Sequence, residues 1–260
     1  MHAAVAGVLL AAGEGSRFGQ PKALVELGGQ TLAERGAELL RAGGADPILV
    51  VTGAAPVQVG GTQAVYNPEW RTGMGSSLRA ALAALAGTEA GAAVVALADQ
   101  PLVGPQAVAR LIAAYRDGAS VAVATYDGQP RNPVLLAREH WPEVIVMATG
   151  DTGARAFLRA RADLVTQVEC GDTGRPDDID TPADLARIAG QSGGWLPDRG
   201  KRLRIGGRHG ADDGQGLHEE VDRLEELEQI TLLEHDLAVH DRTLRVVPLV
   251  QRLPIAVAHA

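Results

Sequence analysis

Aromatic side chains are scarce, at 3% of the 260 residues, so any core has to be built from Ala, Val, Leu and Ile. Cys170 is the single cysteine, which excludes a disulfide framework and a cysteine-rich metal site. Lysine is nearly absent. Lys22 and Lys201 are the two lysines among 24 Lys+Arg residues, so arginine is the default cation and a lysine inside a glycine-rich loop raises the question of its role. The longest apolar runs are about ten residues, too short to span a bilayer. The apolar start from Val5 to Ala12 follows no basic segment and runs into a glycine-rich loop, so it does not read as a signal peptide. A net charge of −8 argues against sheathing nucleic acid or an anionic membrane surface, while leaving room for a local phosphate pocket. The expectation is a soluble cytoplasmic protein with no nucleic-acid or membrane partner.

What is present is ordinary globular material. Hydrophobic residues make up 46% and charged residues 22%, which excludes wholesale disorder, and the 32 glycines show no three-residue period, which excludes collagen. Through residue 190 short apolar runs alternate with helical patterns, as a βαβ architecture demands. Strands are expected at 5–10, 48–51, 63–66, 92–98, 121–125, 133–136 and 164–168. Helices are expected at 31–41, with Thr31 and Glu34 as a capping box, and at 76–85, 105–115, 153–160 and 182–188. The strands read as continuous apolar runs, the pattern of strands buried on both faces. The class is therefore α/β: a Rossmann-like, mostly parallel (mixed) sheet flanked by helices. Residues 1–190 form the expected domain and 191–216 a linker rich in Gly, Asp and Arg. Residues 217–260 read as an extension, with a charged helix at 217–230 and one or two strands in 244–257, to which no chemistry is assigned.

The chemistry concentrates after the first strand, in Leu10-Ala-Ala-Gly-Glu-Gly-Ser-Arg-Phe-Gly-Gln-Pro-Lys-Ala-Leu24. Glycines let backbone N–H groups close on anionic oxygens. Arg17 can grip two phosphate oxygens, and Lys22 adds a compact point charge. The spacing of Gly13, Gly15 and Gly19 fits neither the dinucleotide-binding nor the Walker pattern, so composition leaves both a phosphate loop and a tight turn open. Asp99 follows the most apolar strand, at the strand end where open α/β sheets bind ligands. It suits a hard cation that completes its shell with phosphate oxygens, or else caps the turn at Gln100-Pro101.

The string Leu-Ala-Ala-Gly-x-x-x-Arg-x-Gly-x-x-Lys resembles the opening signature of the MobA-like nucleotidyltransferases, which resemble sugar-nucleotide pyrophosphorylases in fold. Further blocks follow in order. Asn67-Pro-Glu-Trp-Arg-Thr-Gly-Met-Gly-Ser-Ser-Leu78 is similar to the family's second block, especially in its molybdenum cofactor cytidylyltransferase branch. Ala98-Asp-Gln-Pro-Leu102, Asn132-Pro-Val-Leu-Leu136, Gly150-Asp-Thr-Gly-Ala-Arg155 and Asp178-Ile-Asp-Thr-Pro-Ala-Asp-Leu185 complete the set. The resemblance covers residues 5 to 190 and implies a fold of the nucleotide-diphospho-sugar transferase type. It also implies transfer of CMP from CTP to the terminal phosphate of a molybdopterin-type cofactor, with a molybdoenzyme apoprotein or chaperone to receive the product.

The resemblance makes Arg17, Lys22 and Asp99 catalytic and Asp180 the second ligand, beside Asp99, of a Mg²⁺ ion; the plain alternative for Asp180 is a cap on the helix after Pro182. The implied nucleotide contacts are Leu10, Ala11, Ala12, Gly13, Gly15, Ser16, Arg17, Lys22, Asn67, Gly73, Ser77 and Asp99. Ala12 stands where the guanylyltransferase branch carries a second glycine, leaving less room for a purine and favouring CTP. Asn132 replaces a usual histidine and is preceded by Gly128-Gln-Pro-Arg131, departures that bear on the acceptor. Other small phosphorylated acceptors, and a nucleotide-binding regulator without turnover, are the alternatives.

Overall fold

The computed structural model describes residues 3–190; the linker, helix and strands expected beyond lie outside the described residues. Seven strands form one mixed sheet: β1 (Val5–Leu10), β2 (Ile48–Thr52), β3 (Gln63–Tyr66), β4 (Ala92–Leu97), β5 (Val121–Tyr126), β6 (Gln129–Ala137) and β7 (Val165–Glu169), in the order β3-β2-β1-β4-β6-β5-β7. β6 runs antiparallel to both of its neighbours and every other pairing is parallel. The helices are α1 (Leu32–Ala42), α2 (Met74–Leu85), α3 (Pro105–Arg116), α4 (Trp141–Met147), α5 (Arg155–Ala160) and α6 (Pro182–Gly190).

Alternate side chains of the buried strands feed two cores, which is why those strands read as unbroken apolar runs. Val5 and Leu9 of β1, with Val94 of β4, face Ala37 and Leu40 of α1 and Val108 and Leu111 of α3. Val8, Leu10 and Val95 join Leu78, Leu82 and Leu85 of α2, Trp141 and Val144 of α4, and Phe157 of α5 on the other face. A third, smaller cluster unites Val25, Leu27, Leu32, Ile179 and Ile188. It ties the chain just after the glycine-rich loop to the segment leading into α6.

Most expected elements form. The Thr31–Glu34 capping box closes in both directions. The departures have local causes. α2 begins at Met74 rather than at Ser76, because Gly73, at φ +107°, turns the chain into the helix and the Ser76 hydroxyl then donates back to the Gly73 carbonyl at 2.8 Å. Gly153, at φ +53°, lies outside right-handed helical space, so α5 starts at Arg155. β6 is nine residues long, passing two prolines, because its pairing with β5 shifts between Val123 and Ala124 and absorbs Asn132-Pro133 in a bulge. α4 was not expected.

Candidate functional site

The topology places the site. The chain runs outward from β1 through β2 to β3, then returns to lay β4 along the other side of β1. The crevice at such a switch point, beyond the carboxyl ends of the strands, is where open α/β sheets hold ligands. Leu10 and Leu97 are register partners at the ends of β1 and β4, and Ala98 N–H donates to the Leu10 carbonyl at 3.2 Å. The glycine-rich loop and Asp99 therefore emerge side by side.

The loop folds back on itself. The Gly15 carbonyl accepts from the N–H groups of Phe18 and Gly19, at 2.8 and 2.9 Å, with Gly15 at φ +62°. A Cβ on Gly15 would stand 2.1 Å from the Gln20 carbonyl oxygen, so this turn requires glycine. Pro21 leads into a 3₁₀ turn at Lys22–Leu24 that directs Lys22 back over the crevice.

There Lys22 Nζ donates to Asp99 Oδ2 at 3.1 Å and to Asp180 Oδ1 at 2.6 Å, while Arg17 Nη1 reaches Asp180 Oδ2 at 3.2 Å. Burial works to lower the pKa of the Lys22 ammonium, but the hydrogen bond to Asp180 and the charge of Asp99 outweigh it and hold it above its ordinary value. The Lys22 hydrogen bond in turn holds Asp180 below the usual carboxylate range, against a smaller opposing effect of burial.

Ile179 brings the two acids together. Its side chain is fully buried in the third cluster, and its N–H donates to the Asp99 carbonyl at 2.8 Å. Beside it Gln100 Nε2 donates to Asp178 Oδ1 at 2.9 Å. Asp180 is not the cap of α6. Thr181 fills that role: its hydroxyl accepts from Asp184 N–H at 3.2 Å and its own N–H donates to Asp184 Oδ2 at 3.0 Å. Asp180 is thereby left to face Lys22.

Two carboxylates that share one ammonium also suit a divalent cation. Among the described residues no group of three or more His, Cys, Asp or Glu could hold a metal ion. The donor set thus fits a hard cation that takes its remaining ligands from water and phosphate, not one caged by protein.

The second block forms the opposite wall. Gly73 cannot carry a side chain, because a Cβ would meet the Gly150 carbonyl carbon at 2.4 Å and Asp151 Oδ1 at 2.6 Å. This close approach seats the 3₁₀ turn Gly150–Thr152 on the start of α2. The resulting cleft, about 710 Å³, is lined by Leu10, Ala11, Ala12, Gly13, Gly15, Ser16, Arg17, Lys22, Gly73, Ser77, Asp99 and Asp180.

Asn67 is the exception among the expected contacts. It is 2% exposed and absent from the cleft lining; its amide donates to Ser76 Oγ and Ser77 Oγ at 2.8 and 3.0 Å, and its Oδ1 accepts from Glu69 N–H. Its bonds go to the start of α2 rather than into the cleft. The sequence does not single out Trp70, Arg71 and Asp151, which line the cleft together with Met74, the Arg71 guanidinium lying 4.3 Å from the centre of the Trp70 ring. Gly53 makes room for that ring, since a Cβ there would stand 2.6 Å from Trp70 Cβ. The Trp70 signal lay in the quoted block, but nothing in one sequence separates a wall tryptophan from a core one.

Comparison with known proteins agrees with this architecture. Residues 7–165 match the family described as MobA-like NTP transferase domain. Nicotine blue oxidoreductase from Paenarthrobacter nicotinovorans is 38% identical over 198 residues, 71% of this chain and 96% of that protein. A probable molybdenum cofactor guanylyltransferase from Opitutus terrae is 34% identical over 126 residues, 48% of this chain and 62% of that protein. The crystal structure of Rv0371c from Mycobacterium tuberculosis in complex with manganese superposes with a TM-score of 0.61 at 26% identity, covering 72% of this chain and 98% of that one. The mixed seven-stranded sheet is of the nucleotide-diphospho-sugar transferase type. With the family match spanning most of the described residues and the glycine loop, Lys22 and both acids gathered at one switch point, the chain belongs to the MobA-like NTP transferase family.

Proposed function

We propose that the protein transfers CMP from CTP to the terminal phosphate of a molybdopterin-type cofactor and releases pyrophosphate. The observation that carries this reading is Lys22, held between Asp99 and Asp180 at the mouth of a glycine-rich loop. The acceptor phosphate oxygen attacks the α-phosphorus, the bond from the α-phosphorus to the bridging oxygen breaks, and pyrophosphate leaves in line. No covalent nucleophile is needed; the task is to hold two polyanions together and neutralise the charge that develops.

Loop N–H groups, Arg17 and Lys22 hold the β- and γ-phosphates. Gly73 and Ser77, at the uncapped start of α2, lie where helix N–H groups favour an anion. Asp99 and Asp180 would hold Mg²⁺, which supplies charge neutralisation at the reacting phosphates when bound. Ala12, buried in the cleft wall, narrows the space for the base and supports a pyrimidine. The molybdenum cofactor named for the Opitutus terrae relative supports the acceptor class. A product of this kind has to be handed on, which makes a molybdoenzyme apoprotein or chaperone the partner. Residues 1–190 act as the catalytic domain in this proposal, and 217–260 as an extension joined to it through 191–216.

Pyrophosphate release is the test, with each of the four NTPs offered with and without molybdopterin. Release that depends on both CTP and molybdopterin is expected. Equal release with every NTP would remove the base assignment, and release only with another phosphorylated acceptor would remove the molybdopterin. A second reading comes from the 38% identical nicotine blue oxidoreductase: a redox reaction on a small organic compound in the same cleft. It requires an electron donor or acceptor to be consumed with no pyrophosphate formed, so pyrophosphate release separates the readings.

A further inference from the structure

Lys22 stands where a cation between Asp99 and Asp180 would stand. Its ammonium lies 3.1 Å from one carboxylate and 2.6 Å from the other, and both partners are partly screened from water. One positive charge thus already satisfies the two acids. A divalent ion coordinated by the same oxygens cannot share that space with an ammonium, and two cations so close repel strongly in a partly dry site. Lys22 extends from the 3₁₀ turn that closes the glycine-rich loop and lines the same cleft as that loop, and its flexible four-carbon stem can carry Nζ from the acids toward the loop side.

We infer that Lys22 is an internal stand-in for the divalent cation: it holds the two acids paired in the empty enzyme, and the arriving cation displaces it onto the nucleotide phosphates. This rests on the nucleotidyl-transfer reading for where the ammonium goes, though not for the displacement itself. Cation and triphosphate then favour each other's binding, because the cation releases the ammonium from the acids and the phosphates give it a new anionic partner. Without nucleotide, Lys22 opposes the cation. With nucleotide, it has another anion to pair with. Arg17, which of the two acids reaches Asp180 alone and has a side chain 75% exposed, opposes the cation far less.

Two measurements on the full chain test this. In the first, Mn²⁺ alone is titrated by electron paramagnetic resonance. Lys22→Met is expected to bind Mn²⁺ several-fold more tightly than the unaltered protein, and Arg17→Gln close to equally. In the second, the unaltered protein carries [¹⁵N]lysine, whose two ammonium signals come from Lys22 and Lys201; the one lost in Lys22→Met is Lys22. Mg²⁺ alone is expected to shift or broaden that signal, and the α,β-methylene analogue of CTP added with Mg²⁺ to return it at a new position. Equal or weaker Mn²⁺ binding by Lys22→Met, or a Lys22 signal unmoved by saturating Mg²⁺, would overturn the inference. If Mg²⁺ moves the signal but the CTP analogue does nothing, the displacement stands and the nucleotide reading alone falls.

Discussion

Lys22 Nζ and Asp180 Oδ1 meet at 2.6 Å although 158 positions separate them in the chain. The other oxygen of Asp180 accepts from Arg17, so two cations of a single loop satisfy one carboxylate. Among the described residues no backbone hydrogen bond or core packing depends on the Lys22 ammonium. Lys22→Ala is therefore expected to lower pyrophosphate release by about 10²–10³-fold, the cost of one preorganised charged donor, with circular dichroism and melting little changed. Turnover within a few-fold of the unaltered protein would remove the phosphate-holding role.

Ile179 touches no ligand in this account, yet both acids depend on it. Its side chain is enclosed by Val25, Leu27, Leu32 and Ile188, and its N–H holds the Asp99 carbonyl. Ile179→Ala is expected to destabilise the fold by about 2–5 kcal/mol and Ile179→Val by about 0.5–1.5 kcal/mol. Urea denaturation measures both. Turnover of the folded alanine variant should also drop, as the spacing of Asp99 and Asp180 loosens.

Thr181 separates stability from chemistry at the start of α6. Thr181→Ala is expected to cost about 1 kcal/mol through loss of the cap, while Asp180→Ala abolishes turnover with little effect on folding. Asp184 is held below its ordinary carboxylate value first by the Thr181 hydroxyl, against a smaller opposing effect of burial. A folded value below the unfolded one means the contribution is present above the ordinary value of 3.8 and is lost as pH falls through the lower folded value. Chemical denaturation from about pH 5 down to about pH 2, roughly the span through and below that carboxylate's ordinary value, should show a shallower acid loss in Thr181→Ala.

Gly73→Ala tests the opposite wall. The residue sits at φ +107°, and a methyl group would enter the backbone of Gly150. A cost above about 1 kcal/mol is expected, together with weaker CTP binding by calorimetry, since the 3₁₀ turn at Gly150–Thr152 must then lift from α2.

The element order and both cores were legible because period and burial coincide: strands with two covered faces are apolar throughout, and Leu78, Leu82 and Leu85 mark the inner face of α2. The Thr31–Glu34 cap was legible because its chemistry is local. The antiparallel insertion of β6 was not, since strand direction depends on which neighbour the chain meets and leaves no mark in composition. α4 escaped because seven residues carry too few turns to show a period, and only Trp141 and Val144 are buried. At the site, Lys22 and Asp99 stood out from the chain's own punctuation. Asp180 drew on the resemblance alone, as its pairing with Lys22 spans nearly the whole domain. The resemblance implies a nucleotide contact for Asn67, whereas its side-chain oxygen accepts from Glu69 N–H two residues on, a local turn that an Asn-Pro-Glu sequence already permits.

The most direct measurement is a crystal structure of the full chain with CTP and Mg²⁺. The account predicts the triphosphate lying along Gly13 to Lys22, with the metal between the carboxylates of Asp99 and Asp180. Nucleotide bound outside this cleft, or a metal ion that touches neither acid, would contradict it.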